Sequence, residues 1–167
     1  MTTSTAAKKA RRALDLVWDE QLPVNPTEIA HRLIVTKDKH PIKMKGRAGM
    51  AYSGQARFDT QLEAFVCEYN LNEVSFRQRF TQAHELGHVI LGHVNDGREP
   101  KRDTNFEVST RDPDEIAANR FAAELLMPED YVRTAVKREF DIKKLARLFD
   151  VSTTAMRFRL KNLGILS

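Results

Sequence analysis

The chain has 167 residues and a single cysteine, Cys67. That excludes an intramolecular disulfide and a zinc site built on several thiolates. Glycine (7) and proline (6) are sparse, so collagenous and low-complexity readings fall away. No apolar run approaches the roughly 20 residues that span a bilayer, and no membrane partner is expected. The opening, MTTSTAAKKARRALDLVW, has basic residues without a long apolar segment behind them, so it does not read as a secretory signal. A cytoplasmic location is expected. What is present is ordinary for a globular protein: 41% hydrophobic and 30% charged residues. At about 150 residues per domain, this is one domain with at most a small appendage.

The net charge of +4 is unevenly placed. Lys8, Lys9, Arg11 and Arg12 face no acid among residues 1–12. Residues 133–161 carry nine Lys/Arg against Glu139, Asp141 and Asp150, and the middle of the chain is net acidic. Basic ends suit an anionic partner; a solvated helix face explains them equally well.

Residues 5–19 read as a helix, with Leu14, Val17 and Trp18 at helical spacing. Asn25, Pro26 and Glu28 have the spacing of a capped helix start, followed by Ile29, Ala30 and Leu33. Residues 34–47 read as basic and irregular, interrupted by Pro41 and Gly46. Two strands are expected at 48–58 and 62–69, turning at Asp59 and Thr60, with Phe65, Cys67 and Tyr69 alternating against Ala64, Val66 and Glu68. Ser75 and Gln78 have capping-box spacing and open a helix expected to run to about His93. Residues 95–111 read as a polar loop. Asp112-Pro113-Asp114-Glu115 opens a further helix closed at Met127-Pro128, and 129–163 reads as two or three short helices. The expected class is α+β with a small antiparallel sheet.

The chemistry sits in His84-Glu85-Leu86-Gly87-His88, inside the long helix. Residues four apart lie about 6 Å along the axis and 40° around it, so two imidazoles can hold one metal ion from the same side. Zinc accepts neutral nitrogen ligands and leaves a coordination position open. Glu85 can take the proton of a water held there. This is the H-E-x-x-H signature of zinc peptidases. Two surface histidines and a solvated glutamate are the bland alternative. Gly87 argues against it, because glycine costs about 1 kcal/mol inside a helix and close approach of another element would explain it.

A third protein ligand is needed. One class of zinc peptidases places a histidine six residues after the second, with a glycine between. Here those positions are Val94 and Leu91, so that pattern fails. His93, five residues from His88, points about 140° away on a continued helix. The other solution is a glutamate from a later helix. Residues 113–127 offer Glu115 and Glu124. Glu115 also stands at capping-box distance from Asp112, and Glu124 also reads as a surface charge. Alanines 117, 118, 122 and 123 permit close packing on the metal-bearing helix. Tyr52, Tyr69, Tyr131 and His93 are candidate donors to an oxyanion, each also readable as packing or surface. One of the two strands is a candidate edge for an extended substrate. Cys67 reads as a small buried residue.

The stretch Arg79-Phe80-Thr81-Gln82-Ala83-His84-Glu85-Leu86-Gly87-His88, followed by Glu115-Ile116-Ala117-Ala118-Asn119-Arg120-Phe121-Ala122-Ala123-Glu124-Leu125-Leu126-Met127-Pro128, resembles the ImmA/IrrE family of metallopeptidases. The likeness extends more weakly from about residue 23 to the C-terminus. It implies a gluzincin-like, zincin-type core over residues 1–128, binding Zn2+ through His84, His88 and Glu115, with Glu85 as catalytic base. The third ligand of the family lies four residues before the motif asparagine, which here is Glu115. Ala117 stands where many members carry another glutamate. The resemblance also implies a protein substrate, usually a helix-turn-helix repressor controlling a mobile element or stress response, and in some members a toxin–antitoxin-like pairing.

Residues 144–163 have helix-turn-helix spacing, within a helical segment 129–167 expected to pack on the core. Leu145, Ala146, Leu148 and Phe149 form one apolar face, Asp150-Val151-Ser152 the turn, and Ala155, Met156, Leu160 and Leu163 the second face. Arg157, Arg159 and Lys161 point elsewhere and are candidate contacts to DNA or to a protein partner. Two functions follow: a zinc endopeptidase acting on a repressor, or a non-proteolytic regulator that binds DNA or an antitoxin-type protein.

Overall fold

Short N-cap side chains set the first helical boundaries. The computed structural model describes residues 4–35, 39–95, 101–103 and 112–167. Helix α1 (Thr5–Val17) starts at Ser4, whose hydroxyl accepts from the Ala7 N–H at 3.2 Å. It buries Ala6, Ala10, Ala13 and Leu14 and leaves Lys8, Lys9 and Arg12 in solvent. Helix α2 (Pro26–Arg32) is capped by Asn25, whose side chain accepts from Thr27 and Glu28. Pro26 occupies the first turn, where its missing N–H costs nothing. Asp112 and Ser152 cap two later helices in the same way.

Five strands follow one another across the sheet as β1-β2-β4-β3-β5. They are β1 (Ile34–Val35), β2 (His40–Arg47), β3 (Gly54–Asp59), β4 (Ala64–Asn70) and β5 (Lys101–Asp103). The α+β class stands, but the sheet is mixed rather than antiparallel. β3 and β4 form the expected hairpin, registering Gly54 with Tyr69 and Asp59 with Ala64. Its turn is held by Asp59 Oδ1, which accepts from the Gln61 and Leu62 N–H groups at 3.0 Å. Residues 48–53 carry the chain past the end of β4 to its far side. β2 is therefore parallel to β4, Ile42 opposite Phe65 and Met44 opposite Cys67.

β2 replaces the irregular segment expected at 34–47. Buried Ile42 and Met44 alternate with exposed Lys43 and Lys45, the period of a half-buried strand. Pro41 sits at the start of the strand, where no ladder donor is lost from its centre. Gly46 marks a close approach: a Cβ there would lie 2.6 Å from Leu71 Cδ2. The expected strand at 48–58 contracts to β3.

Helix α3 (Ser75–Ile90) packs against β3 and β4 on one side and against α4 (Pro113–Leu126) on the other. Its N-cap is Val74, and Ser75 is the first helical residue. The Gln78 amide instead donates to the carbonyls of Leu71 and Glu73. The helix stops at Ile90, because Gly92 takes φ +80° and turns the chain away. Gly87 explains itself here: a Cβ would sit 3.1 Å from Phe121 Cδ1, so its absence lets α4 close onto α3. In the expected loop 95–111, β5 pairs with Gly54–Ala56 of β3; residues 96–100 and 104–111 lie outside the described ones.

Three short helices complete the chain: α5 (Glu129–Arg138), α6 (Ile142–Phe149) and α7 (Thr153–Asn162). The α6–α7 turn has the expected form, with Asp150 at φ +52° and the Ser152 hydroxyl accepting from Ala155 N–H. Leu145, Ala146, Phe149, Met156 and Leu160 are buried in the same apolar cluster as α1–α4. Leu148, expected on that face, is exposed. Arg79 ties this end to α3, donating through Nε to the Asp150 carbonyl at 3.0 Å. Among the described residues, no helix is long and apolar enough to cross a membrane.

Candidate metal centre

The i, i+4 spacing on α3 places His84 and His88 on one face, both fully buried with Glu85. Their Nε2 atoms are 3.1 Å apart. Glu115, in the first turn of α4, reaches both: Oε2 is 3.0 Å from His84 Nε2 and Oε1 is 3.1 Å from His88 Nε2. Asp112 caps α4, accepting from the Asp114 N–H at 2.9 Å, while Glu115 turns inward to the two histidines.

The far side of each imidazole is also engaged. His84 Nδ1 lies 2.8 Å from Asn119 Oδ1. An amide oxygen only accepts, so Nδ1 carries the proton and Nε2 presents its lone pair to the cluster. His88 Nδ1 lies 2.9 Å from His93 Nδ1, and His93 Nε2 lies 3.3 Å from Asp114 Oδ1. With Asp114 accepting from His93 Nε2–H, His93 Nδ1 accepts from His88 Nδ1–H, and the His88 Nε2 lone pair also faces inward. Partners of this kind fix tautomer and ring orientation in metal-binding histidines. Phe80 flanks His84, ring centroids 6.3 Å apart.

His84, His88 and Glu115 therefore offer two neutral nitrogens and one carboxylate, with all ligand atoms within 4.8 Å of one another. Three converging acceptors of this composition fit one small divalent cation with a coordination position to spare. Glu85 points to the sheet side of α3. Its Oε1 lies 3.0 Å from where a Cβ on Gly54 would be, and Thr81 Cγ2 lies 2.4 Å from it. Glycine at the start of β3 is what allows strand and helix to meet beside the glutamate.

The other candidates are placed elsewhere. Glu124 is not at the cluster. It is buried under α1 and α7, paired with Arg11 Nε at 2.9 Å and with Arg159. Arg159 is thereby turned inward: it is buried and also donates through Nε to the Met127 carbonyl at 3.0 Å. Arg157 and Lys161 are exposed on α7. Tyr131 stacks edge-on against Trp18, Tyr52 donates to Gln55 Oε1 at 3.2 Å, and Tyr69 packs over Gly46. His93 is engaged behind His88. Burial pushes the Cys67 thiol up to about 12, helped by the neighbouring Glu68 charge, which leaves it inert. β4 is central and β5 covers β3 over Gly54–Ala56, so neither expected strand is a free edge there.

Sequence reasoning used Asn119 only as a motif marker and missed its contact with His84, and it gave no role to Asp114 or Gly54. Asn119 carried a usable signal, being four residues beyond Glu115 and so on the same face of α4. Asp114 carried none, since its partner His93 lies across the loop.

An H-E-x-x-H helix backed by a small sheet, with a carboxylate supplied from the next helix, defines the zincin-like class of metallopeptidase folds. The family model of the IrrE N-terminal-like domain matches residues 51–161, and the chain belongs to this metallopeptidase family. A solved structure, a Mycobacterium tuberculosis transcriptional regulator, is similar to it with a TM-score of 0.59 at 17% identity. The likeness covers 93% of this chain and 46% of that one, so the chain spans less than half of that protein's length. No curated protein matches the chain.

Proposed function

We propose that the protein is a zinc-dependent endopeptidase acting in the cytoplasm on a protein partner, a helix-turn-helix repressor. The observation that carries this reading is the convergence of His84, His88 and Glu115 beside the buried Glu85, in a chain of a metallopeptidase family. A zinc ion held by those three residues would polarise a scissile carbonyl and make water acidic enough to attack it. Glu85 takes the proton of the attacking water and returns it to the leaving amine. Asn119 and the His93–Asp114 pair keep the imidazoles in their metal-binding tautomers. Residues 1–128 carry the chemistry, and 129–167 form an appended segment that recognises the partner. The resemblance to the ImmA/IrrE family supports a repressor as substrate.

A second reading is favoured by one observation: α6–α7 have helix-turn-helix form, and Arg157 and Lys161 lie exposed on α7. On that reading the protein binds DNA or an antitoxin-type protein without cleaving it. The test is the product of the neighbouring gene, identified and then incubated with wild type and Glu85→Gln. Cleavage by zinc-loaded wild type, lost by about 100-fold or more in Glu85→Gln at unchanged zinc content, is expected. Equal cleavage by both proteins refutes the mechanism. Altered repressor activity without any cleavage establishes the second reading instead.

A further inference from the structure

The seam between α3 and α4 continues beyond the metal cluster. On α3, Arg77, Phe80, His84 and His88 share one stripe by their three- and four-residue spacing, and on α4 so do Glu115, Asn119, Ala123 and Leu126. The cluster occupies one end of that seam. Its other end opens into a groove of about 750 Å³ lined by Phe76, Phe80, Asn119, Ala123, Leu126 and, from α7, Phe158. Asn119 and Phe80 belong to both: one bonds His84, and the other lies beside its ring.

The groove is apolar and wet. Val74 at its rim is 70% exposed, Phe76 43% and Phe158 62%. Large apolar groups left in water together mark a surface built to be covered. Charge narrows what covers it. Thr154 and Phe158 face the groove, and Arg157 and Lys161 emerge on the exposed side of the same helix, within about 100° of both around its axis. A nucleic-acid duplex would meet cations here but would leave the aromatic floor unburied. An apolar peptide segment bordered by carboxylates satisfies both features.

We propose that this groove docks an apolar, acid-flanked segment of the protein substrate and so feeds the adjoining chain toward the metal cluster. The word substrate rests on the peptidase reading above; the groove's preference for such a segment does not. The site is a docking surface, and its residues take no part in the chemistry.

The test uses zinc-loaded Glu85→Gln protein and two fluorescein-labelled peptides. In one, leucine and phenylalanine alternate with glutamate; in the other, serine replaces every leucine and phenylalanine. The first should bind about tenfold or more tighter than the second, and Phe158→Ser or Phe76→Ser should each weaken it by about tenfold, the scale of a buried aromatic anchor. Both side chains are exposed, so neither change empties the core, and circular dichroism checks the fold. Leu148→Ser, an equally exposed apolar residue on α6 that lines a different groove, should leave binding unchanged. Equal binding of the two peptides overturns the proposal, as does a Leu148→Ser loss equal to that of Phe158→Ser. So does a protein dimer that Phe158→Ser dissociates, because the groove would then be covered by a second copy. Wild-type protein is tested separately on the first peptide. Hydrolysis that is indifferent to Phe158→Ser and Phe76→Ser refutes the groove and leaves the peptidase standing. Phe158-dependent binding without hydrolysis upholds the docking surface and strikes only the identity of its occupant as a substrate.

Discussion

Replacing Gly54 by alanine tests the contact that places Glu85. The new Cβ would lie 2.4 Å from Thr81 Cγ2, 2.7 Å from the Glu68 carbonyl oxygen and 3.0 Å from Glu85 Oε1. Carbon atoms in contact rest about 3.5–4.0 Å apart, so α3 must retreat from β3 by about 1 Å. Rotation of one side chain cannot relieve this, because the Glu68 oxygen belongs to the backbone of β4. Overpacking of this kind costs about 1–3 kcal/mol. The conformational advantage of alanine over glycine in a strand, about 0.5–1 kcal/mol, offsets only part of it. That leaves about 0.5–2 kcal/mol, and for a chain of this size each kcal/mol moves Tm by about 2–4 °C, so a fall of about 1–8 °C is expected in thermal unfolding followed by circular dichroism. Activity should suffer more than stability, since a 1 Å displacement of a reacting group costs on the order of 100-fold. Adding Thr81→Ser removes Cγ2 and should restore part of the lost Tm, while the clash with the Glu68 oxygen remains. A Gly54→Ala protein with wild-type Tm and wild-type cleavage would refute the claim that glycine is there to admit the helix.

Three further outcomes follow from named contacts. Arg159→Met breaks a buried ion pair and leaves Glu124 Oε2 without its cation, while Oε1 keeps Arg11 and the Glu129 N–H, so urea denaturation should show a loss of about 3 kcal/mol, whereas exposed Arg157→Ala should stay within about 0.5 kcal/mol; equal losses would contradict the placement of the two arginines. His93→Ala removes the partner of His88 Nδ1 and should weaken zinc binding by about 10–100-fold in chelator competition; unchanged affinity would show that His93 does not orient His88. Glu68 is pushed up by burial, but hydrogen bonds from Gln55 and Arg47 and the charges of Arg47 and Arg57 outweigh that and hold its carboxyl below the usual range. The folded state then binds fewer protons than the unfolded one, so the contribution is complete above about pH 4.3 and is lost as pH falls through the lower folded value. The urea midpoint gap between wild type and Glu68→Gln should therefore narrow from pH 7 to pH 3; a constant gap would refute it.

The metal cluster was legible because helical geometry is local. His84, Glu85 and His88 need only the 3.6-residue period to be placed, and Gly87 announced a close neighbour that proved to be Phe121. The candidate third ligand was legible from spacing only to a choice between Glu115 and Glu124, since both lie on one helix and the spacing does not say which end meets α3; the family resemblance pointed to Glu115. The sheet was less legible. Pro41 and Gly46 read as breakers, and both do break something: one opens β2 and the other accommodates Leu71. That β2 crosses to the far side of β4 depends on the six residues 48–53, which carry no periodic signal.

Charge was the least reliable guide, and the reason is physical. Arg157, Arg159 and Lys161 lie within five residues on one short basic helix, yet a helix turns about 100° per residue and sends neighbours in different directions. Arg159 turns inward to Glu124, where the two neutralise each other and Met127 takes a further hydrogen bond. The same buried carboxylate receives Arg11 from α1, at the other basic end of the chain. Part of the positive charge at each terminus is thus spent inside, holding α1 and α7 to α4 through one glutamate. What remains outside on α7, Arg157 and Lys161, is a narrower positive strip than the sequence suggested. A strip of two cations borders an apolar groove more naturally than it grips a duplex, whose affinity grows with each phosphate neutralised.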